Sequence, residues 1–138
     1  MSRRLWVERA EDGTWQAHSN DGASLKFGRG EGMFTPVELM QIALAGCTAL
    51  SSQYAVEQAI GEGAGARVLV SGTYDAEEGT YLRFLEDVTV DATAATALSQ
   101  EDADALKERM ERHISRGCTV KHTLETGAAV SVNVTVSH

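Results

Sequence analysis

Apolar and polar positions alternate in three short runs near the start of the chain, Leu5 to Arg9, Thr14 to His18 and Ala23 to Phe27. Alternation with a period of two marks a strand with one covered face. The first two runs flank Glu11-Asp12-Gly13, and the third follows Asn20-Asp21-Gly22. Asp-Gly tolerates the positive φ of a tight turn, so residues 5–27 are predicted to form a three-stranded meander. Gly28-Arg29-Gly30-Glu31-Gly32 then has to be a loop, with glycines too irregularly set for a phosphate-binding motif.

At Thr35 the period changes to that of a helix. Thr35 is a good N-cap, Pro36 suits the first helical position, and Glu38 is placed to reach back to the Thr35 amide. The helical pattern runs to Ile60 and stops at Gly61. From Leu39 to Leu50 it is apolar nearly all round, which predicts a central, buried helix. Ala66 to Asp75 and Tyr81 to Thr93 alternate and form a hairpin across Ala76-Glu77-Glu78-Gly79. A second capping box, Ser99-Gln100-Glu101-Asp102, opens another helix with Ala103, Leu106, Met110 and Ile114 as its apolar stripe and Gly117 as the residue that ends it. Cys118 is thus expected at the head of an extended segment, with Val120, His122 and Leu124 on its own face and Lys121 on the other. Ala128 to Ser137 sets Val130, Val132, Val134 and Val136 against polar neighbours, a last strand with one buried face. The order βββ-α-ββ-α-β predicts an α+β fold, and the absence of repeats and linkers predicts a single domain over 1–138.

A chain of 138 residues suffices for one hydrophobic core. The net charge of −8 disfavours nucleic acid and anionic membrane as partners. Ser2-Arg3-Arg4 leads into Leu5-Trp6-Val7-Glu8, too short and polar a stretch for a signal peptide. No apolar run approaches the roughly 20 residues of a membrane helix, so a cytoplasmic location is expected. In that compartment paired cysteines point to redox chemistry or metal rather than to a permanent disulfide. Cys47 and Cys118 with His18, His113, His122 and His138 have no ligand spacing, so neither a metal nor another cofactor is predicted.

Two thiols, each at a structural junction, are what a dithiol redox site needs: one to attack an oxidant, one to close a disulfide. Met40, Ala43, Leu44, Leu50, Ser51 and Tyr54 surround Cys47 on its helix, a setting expected to raise its pKa. Cys47 is also far from the helix start, where the dipole would help it, unless Gly46 kinks the helix. Cys118, past a helix C-terminus, meets the negative end of that dipole and suits a resolving thiol better than an attacking one. His122 either approaches that thiol or is an ordinary half-exposed histidine. Glu38 lies about half a turn out of phase with Cys47, so it reads as a cap, with a catalytic part only through a partner subunit. Arg29 is the candidate cation for a buried thiolate, because a guanidinium keeps its charge and can donate to both sulfur and a peroxide oxygen.

Pro36-x-Glu38-Leu39, a small apolar helix ending in Ala45-Gly46-Cys47, and Cys118-x-Val120-x-x-Thr123-Leu124 ahead of a terminal strand together resemble the OsmC/Ohr family. That family comprises thiol-dependent peroxidases that reduce organic hydroperoxides, and the likeness extends along essentially the whole chain. It implies an intertwined homodimer with the long helices at its centre and two sites at the subunit interface. It implies Cys47 as the attacking thiol, passing through a sulfenic acid, and Cys118 as the resolving one, closing a Cys47–Cys118 disulfide. It further implies a dithiol reductant of the lipoyl type and an antioxidant, stress-response role. In the OsmC and Ohr branches the motif proline is followed directly by glutamate, and an arginine stands near the first hairpin. Here Val37 follows the proline, the acid is Glu38, and the hairpin reads Glu11-Asp12-Gly13-Thr14-Trp15, which matches a divergent OsmC-like branch. The alternative, from another functional class, is a non-catalytic dimeric small-molecule or partner-binding protein whose reduced cysteines simply pack.

Overall fold

Glycine closes both turns of the N-terminal meander, Gly13 at φ 86° and Gly22 at φ 98°, which leaves the flanking alternating runs free to pair. In a computed structural model, which describes residues 3–92 and 98–137, β1 (Leu5–Arg9), β2 (Trp15–Ser19) and β3 (Ser24–Phe27) form an antiparallel sheet in that order. Val7, Ala17 and Leu25 stand opposite one another across the sheet and so share a face. The chain falls into two compact units, Met1–Ile42 and Ala43–His138. The first holds the meander and the start of α1 (Pro36–Ile60). There the capping box forms as expected: the Glu38 amide donates to Thr35 Oγ1 at 3.2 Å, and the Thr35 amide donates to Glu38 Oε1 at 2.9 Å.

The second unit carries the rest of α1, the hairpin β4 (Ala66–Asp75) and β5 (Thr80–Val90), α2 (Gln100–Gly117) and α3 (Thr119–Thr126). Thr93, the expected end of the second hairpin strand, lies outside the described residues. Ser99 caps α2 by accepting from the Asp102 amide at 3.0 Å. The core joins Ala55 and Val56 of α1 to Leu106 and Met110 of α2, with Ile60, Val90 and Ile114 packed around them. On α1 the buried positions are Leu44, Ala45, Thr48, Ser52, Ala55 and Val56, one stripe at spacings of three and four. Burial is confined to that stripe: Leu50 is 73% exposed and Tyr54 is 64% exposed in the single chain.

Two sequence expectations are corrected. The segment after Cys118 is helical, not extended, so Val120, His122 and Leu124 do not share a strand face with it. Contacts one turn apart hold this helix: Lys121 Nζ pairs with Glu125 Oε1 at 3.0 Å, and the hydroxyls of Thr123 and Thr126 return to the carbonyls of Thr119 and His122. Gly127, at φ 76°, is the glycine that terminates it, while Gly117 remains within α2. The second correction concerns residues 128–137, which form no strand. Val130, Val132, Val134 and Val136 are 85%, 80%, 82% and 79% exposed, because alternation makes a strand only where another strand receives its backbone donors and acceptors. No helix among the described residues is long and apolar enough to cross a membrane.

Candidate active site

The second unit draws α1, the end of α2 and the beginning of α3 together around two sulfur atoms. Cys47 is half-buried on α1, next to the buried stripe. Cys118 is the one residue between α2 and α3 and is 0% exposed. Its amide completes α2 by donating to the Ile114 carbonyl at 3.1 Å. The α2 terminus reaches α1 closely: a Cβ added at Gly117 would stand 3.6 Å from Ser51 Oγ. Cys118 is thereby delivered to the helix that bears Cys47.

The electrostatics of the pair are asymmetric. Burial pushes the Cys47 thiol up, but it is overcome by donors converging on the sulfur. These are the Val120 amide, the Cys118 thiol, the Ser51 hydroxyl and the Thr119 amide, and the net result lies below the ordinary thiol value. Thr119 and Val120 open α3, where amides have no partner within the helix and the dipole is positive. An anion is stabilised there without any side-chain cation. Cys118 is pushed up by burial and by its hydrogen bond to Cys47 and the charge on Cys47, against weaker help from the Lys121 amide and the Thr48 hydroxyl. Cys47 therefore ionises first, while Cys118 stays protonated with its S–H toward the Cys47 sulfur.

This reverses the expectation that an apolar surround leaves Cys47 with a raised pKa. The apolar neighbours are present, but besides Ser51 the donors arrive from the far end of the sequence. Of the predicted site residues, Cys47 and Cys118 are brought together. Arg29 and Glu38 belong to the first unit, both are exposed, and neither is among the groups acting on the Cys47 sulfur. Glu38 is engaged as the cap of α1. His122 Nε2 lies 2.7 Å from the Ser115 carbonyl and takes no part in the thiol pair.

Sequence reasoning placed Ser51 beside Cys47 without giving it a donor's role, and missed Thr48 and the two α3 amides. Ser51 was visible one turn beyond Cys47, on the same helix face. The helix that supplies the amides is signalled by Lys121 and Glu125 four apart with a glycine at 127, a pattern overshadowed by the alternation of Val120, His122 and Leu124. A cavity of about 370 Å³ opens against this region, its wall including Leu44, Tyr81, Phe84, Glu86, Lys121 and Leu124. Leu44 is one turn before Cys47 on α1, and Lys121 follows Val120 on α3. No group of three or more His, Cys, Asp or Glu side chains placed to hold a metal ion occurs among the described residues.

Residues 28–133 match the family of OsmC-like proteins. Uncharacterized proteins of Mycobacterium tuberculosis and Mycobacterium bovis are 32% identical to this chain over 133 residues, covering 95% of both sequences in each case. Among solved structures, an OsmC-like protein from Mycoplasma pneumoniae aligns with a TM-score of 0.66 at 16% identity, over 100% of this chain and 99% of the other. The organic hydroperoxide resistance protein OhrB of Bacillus subtilis aligns with a TM-score of 0.52 at 16% identity, over 89% of this chain and 90% of that one. These structural likenesses bear on the fold, an α+β arrangement shared by all of them, whereas the family match takes in α1, α2, α3 and both cysteines. The chain belongs to the OsmC-like family.

Proposed function

We propose that this protein is a thiol peroxidase for organic hydroperoxides, with Cys47 attacking and Cys118 resolving. The observation that carries the reading is the meeting of Cys47 with the fully buried Cys118 at the start of α3, where converging donors draw the Cys47 thiol down and burial pushes the Cys118 thiol up. The Cys47 thiolate attacks the terminal oxygen of ROOH. The S–O bond forms as the O–O bond breaks, and RO⁻ takes a proton from water and departs as the alcohol. Cys47 is left as a sulfenic acid. The Cys118 sulfur then attacks Cys47 Sγ, and the sulfenic oxygen leaves as water. An external dithiol, of the lipoyl type, reopens the disulfide by exchange. The cavity beside Leu44 mixes Tyr81, Leu82, Phe84 and Leu124, which a carbon-bearing peroxide could contact, with the charged Arg83, Glu86, Lys121 and Glu125. The family match and the likeness to OhrB, a hydroperoxide resistance protein by name, support the same class.

The working form in this reading is a homodimer. Leu50, Tyr54 and the four valines of residues 130–136 leave more apolar surface uncovered than a lone chain of this size carries comfortably. A second copy would cover it and would give the valine segment a backbone partner. Titrating free thiols before and after one equivalent of cumene hydroperoxide tests the chemistry directly. Both thiols should disappear with no change in oligomer mass. Two persisting thiols would favour the rival reading, a binding module with packed cysteines, which the complete burial of Cys118 makes worth testing.

Arg29 enters the proposal as the cation that orients the peroxide, and Glu38 as a group whose chemical part, beyond the cap, would be played at a partner's site. Because the field on Cys47 comes from α3, Arg29→Ala should leave its alkylation rate against pH unchanged. Peroxide reduction should slow about tenfold, the order of one charge-assisted hydrogen bond. Reduction at the parent rate would remove Arg29 from the mechanism.

A further inference from the structure

On the peroxidase reading, the resolving thiol has to lose its proton after the attacking thiol has reacted, in a place sealed from water. Beside the fully buried Cys118 lies Thr48, 1% exposed, with its hydroxyl 4.0 Å from Cys118 Sγ, a hydrogen-bonding separation for sulfur. Hydroxyls within helices commonly turn back to a carbonyl of the preceding turn. Ser52, buried on the same stripe, does so, reaching the Thr48 and Ala49 carbonyls at 3.0 and 3.2 Å. Thr123 and Thr126 behave likewise, each at 2.8 Å. Thr48 departs from that habit. A buried hydroxyl is expected to have a partner, and this one is directed at the sulfur of a residue far along the chain.

We propose that Thr48 is the positioning residue of the resolving thiol: its hydroxyl holds Cys118 Sγ against Cys47 and donates to the Cys118 thiolate as the disulfide closes. In the reduced pair the negative charge on Cys47 helps keep Cys118 protonated. Oxidation of Cys47 to the sulfenic acid removes that charge, and the donors that remain on Cys118 are the Lys121 amide and the Thr48 hydroxyl. Cys118 ionises and its electron pair forms the S–S bond. The S–O bond of the sulfenic acid breaks, and hydroxide leaves with the Cys118 proton as water. One thiol and one sulfenic acid thus give one disulfide and one water, with no further reactant.

Thr48→Val removes the hydroxyl and keeps the shape, whereas Thr48→Ser keeps the hydroxyl. Reduced full-length protein is mixed with cumene hydroperoxide and quenched at intervals, with sulfenic acid trapped by dimedone and disulfide counted by mass. In Thr48→Val, closure should slow about tenfold more than attack, and trapped sulfenic acid should accumulate. Thr48→Ser should close at about the parent rate. Thr48→Ala reads the same loss should valine disturb the packing. Closure at the parent rate without the hydroxyl, or Thr48→Ser as slow as Thr48→Val, overturns the assignment. Oxidised glutathione separates this from the peroxidase reading, because Cys118 then displaces glutathione from Cys47 with no peroxide present. A protein inert to peroxide, with Thr48→Val slow toward glutathione, keeps Thr48 and discards the peroxidase. Normal peroxide attack with equal closure in all variants does the reverse.

Discussion

Cys47→Ser is expected to abolish reduction of cumene hydroperoxide with dihydrolipoamide as reductant, turnover falling by about a thousandfold or more. The reason is chemical rather than steric. The thiolate is the nucleophile, and the donors around Cys47 lower a thiol far enough to ionise but leave a serine hydroxyl protonated. The substitution is small and the site half-buried, so the fold should persist. Cys118→Ser separates the two steps: the first equivalent of peroxide is consumed, and the reaction halts at a sulfenic acid detectable by mass. Unchanged turnover in Cys47→Ser would sink the mechanism, since no other thiol beside Cys118 exists in the chain.

The start of α3 should control the reactivity of Cys47 almost as strongly. Val120→Pro deletes the amide that lowers Cys47 most, at a position in the first helical turn where proline's missing donor breaks no intrahelical bond. With that donor gone, burial is opposed by less, and the thiol should titrate higher. The sign follows directly. A protonated thiol does not react, so raising its pKa shifts the whole rate–pH curve toward alkali. Alkylation of Cys47 by iodoacetamide near neutral pH should slow about tenfold, the equivalent of one hydrogen bond to a charged group, and the curves should converge at high pH. Val120→Ala, which keeps the amide and loses most of the side chain, should react like the parent. Proline disfavours helical backbone at the preceding Thr119, so helix content by circular dichroism accompanies the measurement. Superimposable profiles would show that α3 does not supply the field on Cys47.

These two substitutions also divide what is legible in the residues from what is not. The meander follows from Asp-Gly turns, and Gly13 and Gly22 adopt the positive φ those turns require. The start of α1 follows from Thr35 and Glu38, whose reciprocal bonds span three residues. The face of α2 that enters the core follows from the spacing of Leu106, Met110 and Ile114. Each depends on contacts within a turn or two of chain, and such contacts are carried in the order of the residues. That two thiols form one site is an expectation of the sequence, and the fold does bring Cys47 and Cys118 together, but their environment was not legible. Alternation at Val120, His122 and Leu124 suggested a strand, yet contacts one turn apart make it a helix, and that helix turns its free amides toward Cys47. Apolar neighbours along α1 suggested a raised thiol, yet all its donors except Ser51 lie on a segment distant in sequence. The valines of residues 130–136 alternate as a strand should, and lacking a neighbouring strand in the single chain they form none. Local order determines where turns, caps and stripes fall. Only the tertiary structure decides which donor meets which sulfur, because the energy of that meeting depends on distance through space and on exclusion of water, and neither follows from position along the chain.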